Sequence, residues 1–278
     1  VLPEEYKPAK AAHFSIDTTP HEQSGRKMEG VAMNYDGKWC LDSQVVFDEI
    51  GLSYGFQLRP GDVGNNVGSS ELIEQALRGK KFTDEKYVSG DSAYCNQDCI
   101  KTALRLGAKF TFTAHDGWTN WRSHIPEIDD WEDWKWTEAE LKVFERKKQK
   151  PPQIQVGRFL WRPNWAPNLL FPIVVKRTWT TESQDQGLFD DKTAGGYWDY
   201  YGVVTNMSLY SNTKQAVIKR HNKRGNAENF IKEEKYGYDL KNFPCLKLKA
   251  NYAFGLLAMV AHNILRWIAV VEKPDKPH

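Results

Sequence analysis

The sequence predicts an α/β protein, a mixed sheet flanked by helices, with a β-rich insertion ahead of the last helices. Three observations carry that reading. Between His13 and Ala114, short apolar runs bounded by turn residues give antiparallel strands first and then an alternation of helix and strand. Between His115 and Tyr210 the texture changes, and nine of the chain's eleven tryptophans fall there. From Thr213 onward the apolar spacing becomes that of helices again. The expected organisation is a core made of residues 1–114 and 211–278, with residues 115–210 inserted into it.

The first strand, His13 to Thr19, carries Asp17 near its end. A second, Val31 to Tyr35, turns at Asp36-Gly37 into Trp39 to Phe47, and an Asp-Gly pair between apolar runs is a hairpin signal. The stretch from Arg59 to Asn66 is dense in turn residues and precedes a helix over Ser69 to Leu77. Lys86 to Asp91 is a strand closing on a second acid. A helix near Gln97 to Leu106 stops at Gly107, and Lys109 to Ala114 is the strand after it. Within the insertion, Leu169 to Thr180 and Trp198 to Met207 read as strands. Thr213 to Lys235 and Leu246 to Val271 read as helices. They are joined at Asn242-Phe243-Pro244-Cys245, because a proline inside a helix lacks the amide donor and clashes with the preceding turn. The apolar run Tyr252 to Val271 is broken by His262, Asn263 and Arg266, so it reads as a buried core helix and not as a span of about 20 apolar residues.

A chain of 278 residues with 40% hydrophobic and 27% charged content suits one large globular domain or a domain with an insert. The net charge of +2 means that any nucleic-acid surface must be local. Such a surface is visible: Lys214 to Lys235 holds seven Lys/Arg against three Glu, whereas Glu127 to Glu140 holds seven acids against Lys135 alone. Segregated charge of this kind steers an anion to one face. Cys40, Cys95, Cys99 and Cys245 form no CxxC pair and no zinc spacing, which reads as reduced thiols in a cytoplasmic protein. His21, His115 and His124 are not spaced as metal ligands. No signal-peptide pattern is visible, and Val1 in place of an initiator methionine reads as a fragment.

The most informative stretch is His221 to Lys235. Read as a helix at about 100° per residue, it places His221, Arg224, Glu228, Lys232 and Lys235 within an arc of roughly 80°. One carboxylate then stands in a column of cations. The ordinary reading is an exposed helix laced by the i,i+4 pairs Arg224–Glu228 and Glu228–Lys232. Asp17 and Asp91 read equally as turn or cap residues, and Asp36, Asp42, Asp48, Asp62 and Asp98 compete with them.

Arg224-x3-Glu228-x6-Lys235 resembles the Y-x2-R-x3-E-x6-K signature of the cut-and-paste DDE transposases of bacterial insertion sequences, with His221 at the Tyr position. Ile16-Asp17-Thr18-Thr19 and Gly90-Asp91-Ser92-Ala93-Tyr94 resemble that family's first and second acidic strands. Asn251 to Leu265 resembles its closing helix, so the similarity runs from about residue 13 to 263. The resemblance implies an RNase H-like core in which Asp17, Asp91 and Glu228 are the catalytic, metal-binding acids. It implies Mg²⁺ or Mn²⁺ as cofactor, in a pair of ions; two divalent ions about 4 Å apart suit phosphodiester chemistry. His221, Arg224, Lys232 and Lys235 would meet DNA phosphates, and Trp198 would stack on a flipped base. The implied partners are transposon-end and target DNA and a second subunit in a homodimer, with no membrane, in the bacterial cytoplasm at the nucleoid. The implied activity is metal-dependent cleavage at transposon ends followed by strand transfer. Two alternatives stand beside it. One is a domesticated or decayed transposase that binds DNA without cutting. The other is a carbohydrate-active protein, suggested by the tryptophans and carboxylates, which leaves the cationic helix unexplained.

Overall fold

The computed structural model describes residues 11–79, 85–180 and 196–272. The chain forms two compact units, Val1–Phe112 with His221–His278, and Thr113–Arg220. The first unit is built on a mixed sheet of β1 (Ala11–Glu22), β2 (Ala32–Met33), β3 (Trp39–Phe47), β4 (Ser53–Pro60), β5 (Glu85–Gly90) and β6 (Lys109–Thr113). The spatial order is β4-β3-β1-β5-β6, with the short β2 sharing β3's outer edge with β4. The neighbours β1, β3 and β4 are antiparallel, whereas β5 and β6 run parallel to β1. Parallel strands need crossover connections, and α1 (Ser69–Gly79) and α2 (Gln97–Arg105) supply them.

Both faces of the sheet are covered, and β4 shows how. Gly55 and Phe56 point to opposite faces because side chains alternate along a strand. A Cβ on Gly55 would meet Leu72 of α1 at 2.7 Å, while Phe56 lies 2.4 Å from where a Cβ of Gly255 would stand. Gly255 belongs to α7 (Leu248–Glu272), so α1 and α7 sandwich the sheet. On α1 the buried residues are Ser69, Leu72, Ile73, Ala76 and Leu77, the one-sided spacing of an amphipathic helix. The main core lies on the other face. There Leu41, Val45, Phe47, Phe56 and Leu58 pack against Ala227, Phe230 and Ile231 of α6 (Asn226–Gly237) and Ala258 and Met259 of α7. The result is an α/β mixed sheet flanked by helices, consistent with the RNase H-like expectation.

Four sequence expectations change. The third long antiparallel strand is β4, which the sequence did not mark, and the expected strand over Val31 to Tyr35 shrinks to two residues. Ser53–Pro60 contains no β-branched residue and holds a glycine that the close approach of Leu72 requires, so its pattern is not that of a strand. The helix expected over Thr213 to Lys235 is α5 (Lys214–Asn222) followed by α6, with a 3-10 turn at Lys223–Gly225 between them. Pro244 does fall between α6 and α7, as its chemistry demands. The closing helix α7 is not buried. Asn251, Gly255, Ala258, Met259, His262 and Arg266 face the core, but the opposite side of the helix is bare. By length and hydropathy α7 alone among the described helices could cross a membrane. Its inner face, however, is tied to the first unit: Asn263 exchanges two bonds with the backbone of Ser53, His262 meets Gly51 O at 2.8 Å, and Arg266 donates to Ile50 O at 2.7 Å.

The second unit carries an antiparallel sheet in the order β7 (Glu132–Asp133), β8 (Ile154–Trp161), β9 (Phe171–Thr180), β10 (Tyr197–Thr205), together with α3 (Asp116–Thr119) and α4 (Glu138–Arg146). Thr137 and Glu140 form a reciprocal capping box at the start of α4. The acidic run opposes cations of α5. Lys214 is buried against Asp130 at 2.8 Å and Glu132 at 3.0 Å, and Lys219 meets Glu140 at 2.9 Å. Two of the seven cations counted in the basic stretch are therefore spent on internal ion pairs.

Candidate active site

The site begins where β1 and β5 part. Their parallel ladder runs from Ala11↔Glu85 to Ser15↔Ser89 and stops, while β1 continues beside β3 as far as Glu22↔Cys40. Asp17 and Asp91 each lie two residues beyond the last pair, so both continue the face of Ser15 and Ser89. Crevices of this kind, at the carboxyl ends of parallel strands where neighbouring strands diverge, are where α/β folds bind ligands. Asp17 Oδ1 accepts the Thr18 amide at 2.8 Å. Asp91 Oδ1 accepts the Ala93 amide at 2.8 Å and caps a single 3-10 turn, Ser92–Tyr94.

Below the acids lies a buried polar layer. Tyr94 is fully buried and its hydroxyl meets Thr18 Oγ1 at 2.5 Å. A side chain at Gly90 would strike the Tyr94 ring at 2.6 Å, so the strand must end on glycine for the ring to pass beneath it. One residue pair back, Ser89 Oγ is bonded at 2.6 Å to both His13 Nε2 and Thr111 Oγ1. His221 Nδ1 reaches Thr111 O at 3.1 Å.

The third expected acid, Glu228, lies on α6. Asp17's carboxyl is pushed up to about 6, chiefly by burial, with the charges of Asp91 and Glu228 adding to the rise and the Thr18 amide and Arg224 opposing it. The carboxyl of Asp17 thus feels both other members of the expected trio and one expected cation. Glu228 is exposed in the first turn of α6, and Arg224 is half-buried in the 3-10 turn before it. That turn advances about 120° per residue instead of 100°, which spoils the single helical arc expected from the sequence. Among the described residues, Glu228 closes no ion pair with Arg224 or Lys232. The ion-laced helix that the sequence also allowed is not what forms.

The remaining expected residues divide. His221 is wholly buried, and burial first, then the charge of Arg224, push its imidazole down to about 3. This corrects the expectation that it touches DNA: a neutral ring enclosed in protein and bonded to Thr111 presents nothing to a phosphate. Lys232 is exposed. Lys235 is half-buried and donates to Pro20 O at 2.9 Å, roughly 10 Å along the strand from Asp17. Burial lowers its pKa, with Glu22 and Asp42 opposing. Glu234 is buried and pushed well up, by burial and then by Glu233, while Glu233 lies 3.5 Å from Arg266; neither replaces Glu228. Trp198, in the second unit, stands edge-on to Trp179 at 5.3 Å. The Arg177 guanidinium lies 4.5 Å from its ring and 4.0 Å from that of Trp131.

Sequence reasoning missed a buried ion pair beside this site. Arg59 donates to Asp42 at 2.7 Å and holds the following loop through Val67 O at 2.7 Å. Asp42 is raised to about 6 by burial against the opposing pull of Arg59. Both were read as turn residues or bystanders because nothing in their spacing announces a partner; only the strand register Asp42↔Arg59 brings them together.

The donors suit a hard divalent cation in kind, being carboxylate oxygens. Asp17 is half-buried and feels the negative charges of Asp91 and Glu228, which a cation would offset. Among the described residues, no three ligand-type side chains already stand close enough to close a shell around one ion.

Among known families, the profile described as transposase DDE domain group 1 matches residues 4–277. No curated protein matches the chain. A match over nearly the whole length concerns both units, not the acid-bearing strands alone: the chain belongs to the DDE transposase family, in the group described as transposase DDE domain group 1.

Proposed function

We propose that this chain is the catalytic part of a cut-and-paste transposase of the Y-R-E-K group from a bacterial insertion sequence, cleaving DNA at transposon ends and joining the freed 3′ ends to target DNA. The observation that carries the proposal is that Asp17 and Asp91 each stand two residues past the point where the β1–β5 ladder stops, in a chain that the transposase profile covers from residue 4 to 277. Asp17 and Asp91 from the strands and Glu228 from α6 would hold Mg²⁺ or Mn²⁺. When bound, such ions activate an attacking oxygen and offset charge on the leaving one. The chain's own contribution is positional. The Thr18 and Ala93 amides fix one oxygen of each aspartate, and Tyr94 supports the strand ends from below.

Arg224, beside the acids, is the residue to grip a phosphate in a bidentate fork, with Lys232 as a second point charge. Lys235 serves further along β1. Trp198 is the residue for stacking on an unpaired base, with Arg177 next to it as a cation for the neighbouring phosphate. His221 has no part in binding.

The test is plasmid nicking and strand transfer with Mg²⁺ in Asp17→Asn, Asp91→Asn and Glu228→Gln. Each keeps the shape of its side chain and removes a charge the metal needs. Both activities should fall at least a hundredfold in every variant, while metal-free DNA binding stays equal or tightens. Near-wild-type cleavage by any one of them removes that residue from the metal site.

A further inference from the structure

Past Ser15 and Ser89 the backbones of β1 and β5 no longer pair, and each strand end is held only from its far side. Asp17 is placed by β3, opposite Val45, and β5 is placed by β6 as far as Gly90, opposite Phe112. Beyond Gly90 the chain closes on itself: Asp91 takes the Ala93 amide on its carboxylate and the Tyr94 amide on its carbonyl. Neither arrangement sets the distance across the gap. Among the described residues, one hydrogen bond crosses from residues 17–22 to residues 91–94, Tyr94 Oη to Thr18 Oγ1 at 2.5 Å. Both of its ends are anchored. Tyr94 is wholly enclosed, in space that Gly90 leaves open by having no side chain. Thr18 lies opposite Gln44 on β3, which is buried and donates to Asn65 O. Burial, and after it the charges of Asp17 and Asp91, raise the Tyr94 hydroxyl well above the ordinary tyrosine range against the pull of the Thr18 bond, so it stays a neutral O–H.

We infer that the Tyr94–Thr18 bond is a strut that fixes the separation of the Asp17 and Asp91 carboxylates and thereby tunes the site to Mg²⁺ over a larger divalent ion, an assignment that rests on both aspartates being metal ligands. Each aspartate has one oxygen tied to an amide one or two residues further on, so each carboxylate moves with its own strand end. An ion shared between them reads the distance between those ends. Mg²⁺ demands near-ideal octahedral geometry with oxygens at about 2.0–2.1 Å, whereas Ca²⁺ accepts flexible arrangements at about 2.3–2.6 Å. A braced pair of carboxylates can meet the stricter demand. A pair free to drift cannot, yet it still serves Ca²⁺. Partners that only orient metal ligands change affinity by about 10–100-fold when they are lost. Tyr94 and Thr18 touch no reacting atom in this role and are positioning residues.

Binding of Mn²⁺ to the purified chain, followed by the electron paramagnetic resonance signal of the free ion with Mg²⁺ and Ca²⁺ as competitors, tests this without relying on cleavage. Tyr94→Phe keeps the ring and removes one hydroxyl; Thr18→Val keeps the shape and removes the other. Each should weaken Mg²⁺ about tenfold and Ca²⁺ less than about threefold. The double variant should be no weaker than either single one, because a strut can be removed only once. Thr18→Ser, which retains the oxygen, should stay close to wild type. Simple loss of packing would instead weaken both ions alike and add up in the double variant. Thr18 is half-exposed, so Thr18→Val gives the answer should Tyr94→Phe fail to fold. Unchanged Mg²⁺ affinity in Thr18→Val, equal losses for the two ions, or additive losses overturn the inference. Asp17→Asn and Asp91→Asn tell its failure from that of the metal-ligand assignment. If they abolish Mn²⁺ binding while Thr18→Val leaves Mg²⁺ affinity unaltered, the strut alone fails. If they leave Mn²⁺ binding intact, or the wild type binds none, both fail.

Discussion

His221 shows how a residue can sit in the right motif for the wrong reason. Its position in the sequence aligned it with a hydroxyl that meets DNA; its position in the fold puts it under the sheet's polar layer, accepting no solvent and bonded to Thr111. Helical spacing reports angle around an axis and is silent about which side of that axis the rest of the protein occupies. A consequence follows for acid stability. Both His221 and His21, which is bonded to Ser43 at 2.7 Å, are held down to about 3. The unfolded chain takes up protons near the ordinary histidine value, before the folded chain does. Their contribution is therefore fully present above about pH 6.5 and is lost as pH falls from there towards 3. Each histidine adds up to about 1.4 kcal/mol per pH unit to that decline. Urea unfolding of His221→Gln between pH 6.5 and 4 should show a slope shallower by up to that amount; an unchanged slope would mean the ring is not neutral when folded. The three acids, by contrast, were legible from sequence only as candidates, because how β1, β5 and α6 sit relative to one another depends on separations that no local pattern encodes.

At the scale of elements, the long α-helix expected over Thr213 to Lys235 is interrupted by the 3-10 turn that holds Arg224. Gly225 is not what makes the break: it has ordinary helical angles, and a Cβ there would meet nothing within 4 Å. Glycine in that conformation only adds freedom to the unfolded chain. Gly225→Ala should stabilise the protein by about 0.4–1 kcal/mol, seen as a rise in the melting midpoint. A fall would show that the 3-10 turn requires glycine. Elements with a strong periodic signal, α1 and β3 among them, could be read from the residues. The strand β4 could not, since its glycine answers to Leu72 of α1 and so encodes a packing relation, not a propensity. The bare face of α7 was misread for a related cause: apolar content signals that a helix will be covered, but not whether its own chain covers it.

At the scale of the whole molecule, a net charge of +2 hides a local arrangement in which Lys214 and Lys219 are already neutralised by the acids of residues 130–140. The cations left for DNA are fewer than the sequence count suggests, and Arg224 becomes proportionally more important. Arg224→Ala should reduce the slope of log K against log salt for duplex DNA by roughly 0.9, the loss of one phosphate contact. Equal slopes in mutant and wild type would leave Arg224 with a purely internal role.

The parting of β1 from β5 has one more effect, on what the strand does when nothing is bound. Past Ser15, β1 keeps a neighbour on one side only, and an uncovered strand edge is a template for pairing with foreign chains. Along that edge the Thr18 amide is taken by Asp17, Pro20 has no amide to offer, and the Pro20 carbonyl is taken by Lys235. The opening that exposes the acids is thereby closed to β-strands. A substitution such as Pro20→Ala would reinstate a donor at its centre and make this edge a template for aggregation.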